Sequence, residues 1–299
     1  MHEPRVSPLR VVTRSVAGYL ARRFPLETLG VGILLAFFCS HALYGLTAGT
    51  PAVARSTVLG AASLLLLFLE LRIADDLDDV DRDLAREGAA GPGARETVRR
   101  GLIAGLITCQ LALLALNVGH PQALGMALVA GTFAVAVPFV VKPHTTSRIL
   151  LAIAYEGTPA LMLAYVYFFW RGRAPVSLPA RQVLAVVGVC WVPYEFWKFS
   201  RKAGTSAPQP YNLGAGGVRF VLALLLLLSV TMNVAVCLIA RLPPIVAAYG
   251  AVIPAGFGLW LRRVWPATAA APATRGFGVA GLAFVVALES GLLAALLLR

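Results

Sequence analysis

Of the 299 residues, 59% are hydrophobic and 13% are charged, and the formal net charge is +12. Soluble globular domains carry about a quarter charged residues, so this composition excludes one and indicates a membrane-embedded chain. The positive balance does not indicate a nucleic-acid binder. Its Lys and Arg sit in short loops between apolar runs, where the positive-inside rule places them.

Residues 1–25 form a basic N-terminal segment. A membrane-spanning helix needs about 20 mostly apolar residues, and nine such runs follow, at 26–47, 53–74, 98–117, 121–141, 149–170, 181–200, 218–240, 243–262 and 276–298. The first lacks a small-residue cleavage site and eight more succeed it, so it reads as a membrane helix and not as a removed signal peptide. Lipid leaves no partner for an open backbone, and the runs are too long and uniformly apolar for barrel strands. The expected fold is therefore all-α: a multi-pass membrane bundle of about nine transmembrane helices, with 26–299 as one transmembrane domain. Most of the 26 Lys and Arg fall on the N-terminal side of the runs, which predicts a cytoplasmic N-terminus. Cys39, Cys109, Cys190 and Cys237 each occupy a different run and read as small buried side chains. The four histidines are scattered and offer no metal site.

The second run ends in "RIADDLDDVDRD", which holds six of the chain's 14 acidic residues. At 100° per residue, Asp79 lies about 300° and Asp83 about 340° from Asp76, so the three share one helical face. Arg72 joins that face, Asp75 lies at its edge, and Asp78 and Asp81 point away. Stacked carboxylates repel unless a cation sits among them, and hard oxygen ligands suit Mg²⁺. Carboxylates at a membrane edge are functional by default, which outweighs the reading of a merely solvated acidic helix end.

The sixth run ends in "VPYEFWKFSRK", where Glu195, Lys198 and Lys202 share a face on the same predicted side. Lys142 and Arg148, in "VVKPHTTSR", add positive charge there. Against simple anchoring at lipid headgroups, this grouping suits an anion already carrying a metal. Diphosphate satisfies both halves, and the apolar bundle would hold its hydrocarbon tail. The expected substrate is an isoprenoid diphosphate.

These features resemble the UbiA superfamily of intramembrane prenyltransferases. Its first motif, NDxxDxxxD, is similar to "DDLDDVDRD", with Asp75 in place of the asparagine and Asp76, Asp79 and Asp83 on the aspartates. The resemblance implies a helical bundle around a central, lipid-accessible cavity, with Mg²⁺ ions bridging those aspartates to a prenyl diphosphate. The second family motif, DxxxD, is altered here: Glu195 alone carries over, as a ligand of a second Mg²⁺, and Phe199 stands four residues on.

The expected activity is Mg²⁺-dependent prenyl transfer to an aromatic or lipid acceptor, with membrane lipids as the surroundings. The implied metal ligands are Asp75, Asp76, Asp79, Asp83 and Glu195; Arg72, Lys142, Arg148, Lys198 and Lys202 hold the diphosphate. Tyr155, Tyr167, Tyr194 and Trp197 are candidates to face a developing carbocation, although helix packing accounts for aromatics equally well. Glu70 and Glu156 either orient the acceptor or pair with a nearby arginine. The runner-up is a terpene cyclase of the same superfamily, in which the substrate's own double bond attacks. A transporter would need ionisable groups near mid-membrane and broken helices in repeats; the charges are read as gathered at one face, and no repeat is found.

Overall fold

The computed structural model describes residues 24, 26–49, 56–86, 92–174, 176–203, 215–268 and 276–297. The basic N-terminal segment, apart from Phe24, lies outside them, as do the side chains of Asp83, Arg148 and Lys202. The described residues form nine long helices and no strand. They are α1 (Leu26–Thr47), α2 (Thr57–Arg86), α3 (Pro92–Asn117), α4 (Pro121–His144), α5 (Arg148–Arg171), α6 (Ala180–Ala203), α7 (Ala215–Ile239), α8 (Pro244–Thr268) and α9 (Gly276–Leu297). The all-α, multi-pass architecture expected from the sequence is the one observed.

Eight of these helices are long and apolar enough to cross a membrane. The exception is α6, where Arg181, Glu195 and Lys198 interrupt the apolar run. The outward faces are also apolar. On α8, Ile245, Val252 and Leu259 recur every two turns and are all exposed; lipid solvates such a stripe, whereas water would not.

The hub is α1, which packs against α2, α5, α6 and α9. Around it, α2 to α5 form one group through the α2–α3, α4–α5 and α2–α4 contacts, and α6 to α9 form another through α6–α7, α6–α9 and α7–α8. Small residues permit the close approaches that membrane helices need. A Cβ at Gly281 of α9 would lie 2.9 Å from the Ser200 Cβ and 3.0 Å from the Trp197 Cα of α6. That contact holds α9 against the charged turn of α6.

As the helical projection of the aspartates expects, α2 continues unbroken past the second run to Arg86 and carries every aspartate of the cluster on one helix. One boundary differs near the site. In α4, Val137–Val141 form a widened, π-type turn with Pro138 inside it. Proline lacks an N–H and crowds the preceding turn, and the helix resumes for one short turn at Lys142–His144.

Candidate metal and diphosphate site

On α2 the aspartates divide between two environments. Asp76 is buried, with 1% of its side chain exposed, while Asp75 is nearly half exposed. Arg72 spans both: its Nη2 lies 2.6 Å from Asp76 Oδ1, and its Nη1 lies 2.9 Å from Asp75 Oδ2. The i,i+3 and i,i+4 spacing of a helix makes this bridge possible. Asp79, one turn beyond Asp76, is half-buried. Asp78 does not simply point away, as the projection of a lone helix suggests: it forms an ion pair with Lys142, which the C-terminal turn of α4 delivers from 64 residues along the chain.

The α6 cluster is built across the α5–α6 interface. Lys198 Nζ forms an ion pair with Glu156 of α5 and lies 3.1 Å from Glu195 Oε2 on its own helix. Trp191 Nε1 donates to Glu195 Oε1 at 3.1 Å and to the backbone carbonyl of Glu156 at 3.0 Å. Both helices carry a proline beside these glutamates, Pro159 in α5 and Pro193 in α6. Each removes an N–H from the helical ladder, and the Trp191 bond ties the loosened α5 turn to α6.

The two clusters meet at one end of the bundle. Phe68 of α2 packs edge-on against Tyr194 of α6, with ring centroids 5.3 Å apart. Arg201, whose guanidinium stacks over Trp197 at 5.2 Å, lies within electrostatic reach of Arg72 and Asp75. Tyr155 of α5 similarly senses Asp75, Asp78 and Asp79. A narrow, almost wholly apolar cavity adjoins this end, with Phe68, Leu163, Tyr194 and Trp197 in its wall.

Several expectations need restating against this geometry. Arg72, Lys142 and Lys198 are not presented singly to an anion; each already rests on a carboxylate. Glu195 accepts from Trp191 on one oxygen and faces Lys198 with the other. Glu156 pairs with a lysine, not an arginine. Glu70 belongs elsewhere, buried between α2 and α4 and bonded by Gln110 of α3. Tyr167 packs against Tyr44 and Trp170 at the far end of α5, away from the aspartates. The expected positions of Asp83, Arg148 and Lys202 lie outside the described side chains.

The donor chemistry at Asp76 and Asp79 does suit Mg²⁺. That ion keeps several waters and binds through one or two carboxylates together with substrate phosphates. Among the described residues, no three His, Cys, Asp or Glu side chains converge to hold an ion by themselves. Asp76 and Asp79 could thus hold such an ion only together with further oxygen ligands.

Two participants escaped the sequence reading. Trp191 carried no signal beyond being an indole in an apolar run. Glu289 did: it is the one acid in "GFGVAGLAFVVALESGLLAALL", and a lone carboxyl inside a spanning helix marks a site.

No protein-family profile matches this chain, and no curated protein or solved structure matches it either.

Proposed function

We propose that this chain is an intramembrane enzyme of the UbiA type that its motifs resemble, a Mg²⁺-dependent prenyltransferase acting on an isoprenoid diphosphate. The observation that carries the proposal is the meeting of the aspartate face of α2 with the charged turn of α6, beside an apolar cavity.

Bound Mg²⁺ would supply charge neutralisation on the diphosphate leaving group. Asp76 and Asp79 would hold it on the buried face of α2. Arg72 and Lys142, paired with Asp76 and Asp78, would exchange those partners for phosphate oxygens. The allylic C–O bond then breaks with its electron pair going to the diphosphate. The acceptor supplies the pair for the new bond and loses a proton. Glu156, paired with Lys198 and within electrostatic reach of the cavity-lining Tyr194, would take that proton.

A terpene cyclase is the second reading, favoured by the aromatic rings of Phe68, Tyr194 and Trp197 in the cavity wall, whose faces attract a carbocation. Product analysis tests both. Purified protein is incubated with Mg²⁺ and labelled farnesyl or geranylgeranyl diphosphate, with and without a membrane lipid extract. A prenylated product only with extract supports transfer, and a cyclic product without extract supports cyclisation. Intact diphosphate in every reaction would refute both.

A further inference from the structure

At the other end of the same cavity stands a carboxyl that the proposed chemistry does not use. Glu289 lies on α9, is 2% exposed, and is followed by two further turns of apolar helix. Neither of its carboxyl oxygens has a hydrogen-bond partner among the described residues. The thiols of Cys39 and Cys190 lie within electrostatic reach of it. Those thiols are weak donors, and Cys190 directs its own hydrogen toward the Ala36 carbonyl while accepting from Ser40 Oγ. A buried polar atom without a partner is costly, and in native proteins such atoms call for an explanation.

The carboxyl is not sealed in packing. It lines the cavity with Ile33 and Ala36 of α1, Tyr194 and Trp197 of α6, and Val285 of α9. Leu282, two turns before Glu289, lines it as well. At the helical rise, the cavity wall on α9 therefore runs roughly 10 Å from the level of Trp197 to Glu289. The cavity is narrow, about 10 Å³, so a ligand that widens it would meet hydrocarbon and aromatic surface along its length and one hydrogen-bonding group at the inner end.

We propose that Glu289 anchors a binding site for a slender apolar molecule bearing one hydrogen-bond donor, such as a hydroxyl, which donates to the Glu289 carboxyl. The site extends beyond the diphosphate reading and needs none of its chemistry. Two sources offer such a group: a long-chain phenolic acceptor, or a lipid alcohol of the bilayer.

The test uses the full chain in nanodiscs without any diphosphate. Dicyclohexylcarbodiimide, an apolar reagent that couples to carboxyls within membranes, reports on Glu289 by peptide mass spectrometry. Labelling of Glu289 is expected. It should be blocked saturably by 4-dodecylphenol, at a concentration at least about 10-fold below that needed for dodecylbenzene, which has the same shape without the hydroxyl. Dioleoylglycerol separates the sources: protection equal to that by the phenol assigns the site to a bilayer lipid, and absence of protection assigns it to a phenolic molecule. Failure to label Glu289, or equal protection by phenol and hydrocarbon, would overturn the proposal. In Glu289→Leu, the larger thermal shift given by the phenol in the unaltered protein should fall to that of the hydrocarbon; a retained preference would also overturn it. Should Glu289→Leu not fold, the labelling series on the unaltered protein decides alone.

Discussion

Lys198 of α6 holds Glu156 of α5, and the same ammonium group faces Glu195 one turn away on its own helix. One cation thus keeps two glutamates side by side between neighbouring helices. Removing it leaves both carboxylates uncompensated in a largely buried setting. Lys198→Met should lower stability by about 3 kcal/mol, read as thermal unfolding in detergent. Adding Glu156→Gln should recover part of the loss, since the two residues are coupled. Additive losses would show that the pair is not an energetic unit.

The ion pair between Asp78 and Lys142 gives two substitutions with opposite signs. In the proposed exchange Lys142 must leave Asp78 for a phosphate oxygen. Lys142→Met should raise the KM for prenyl diphosphate roughly 10- to 100-fold, the equivalent of one charge-assisted hydrogen bond. Asp78→Asn removes the competing partner and should leave KM unchanged or lower. A matching rise in both variants would mean that the pair serves only to fix α4 on α2.

At the opposite end of the bundle, His120 Nε2 lies 2.9 Å from Arg173 Nη2, and Arg173 stacks 3.9 Å over the Phe169 ring. Burial, then the Arg173 charge, holds the His120 pKa below its ordinary value. The folded state therefore prefers neutral imidazole. The associated stability is complete above the ordinary histidine pKa of about 6.5 and is lost as pH falls through the lowered folded value. Melting temperature should drop between pH 8 and pH 5, and less steeply in His120→Asn. Identical slopes would dissociate His120 from the acid sensitivity.

Glycines on α4 and α9 separate close packing from mere helix propensity. The Gly281→Ala Cβ would collide with α6 backbone and should cost about 1–3 kcal/mol. Gly131→Ala would press on Gln110 Nε2 and Glu70 Oε2, at 2.6 and 2.7 Å, and should also destabilise. Gly125 has open space around it, and Gly125→Ala should stabilise by about 0.5–1 kcal/mol. Thermal unfolding of the three variants checks the order.

The helices were legible in the sequence because lipid demands long apolar runs, and each run became a helix. Hydropathy alone ended the second run at 74, while the spacing of the aspartates carried the helix on through them, as α2 does to Arg86. The face shared by Asp76 and Asp79 was legible from spacing, as was the proximity of Glu195 to Lys198. What a single-helix projection does not encode is what another helix brings. Lys142 reaches Asp78, Gln110 reaches Glu70 and Glu156 reaches Lys198 across 40 to 64 residues of chain. These pairings turned expected free cations into partnered ones.

The measurement that bears most directly on the central claim is inorganic diphosphate release by purified protein supplied with a prenyl diphosphate over a Mg²⁺ series. Release should saturate with Mg²⁺ in the unaltered protein. In Asp76→Asn and Asp79→Asn, each nearly isosteric, it should fall at least about 100-fold, equivalent to about 2.7 kcal/mol, while the melting temperature shows a folded protein. Mg²⁺-dependent release at an unaltered rate in either variant would contradict the assignment of the α2 aspartates as the metal-binding face.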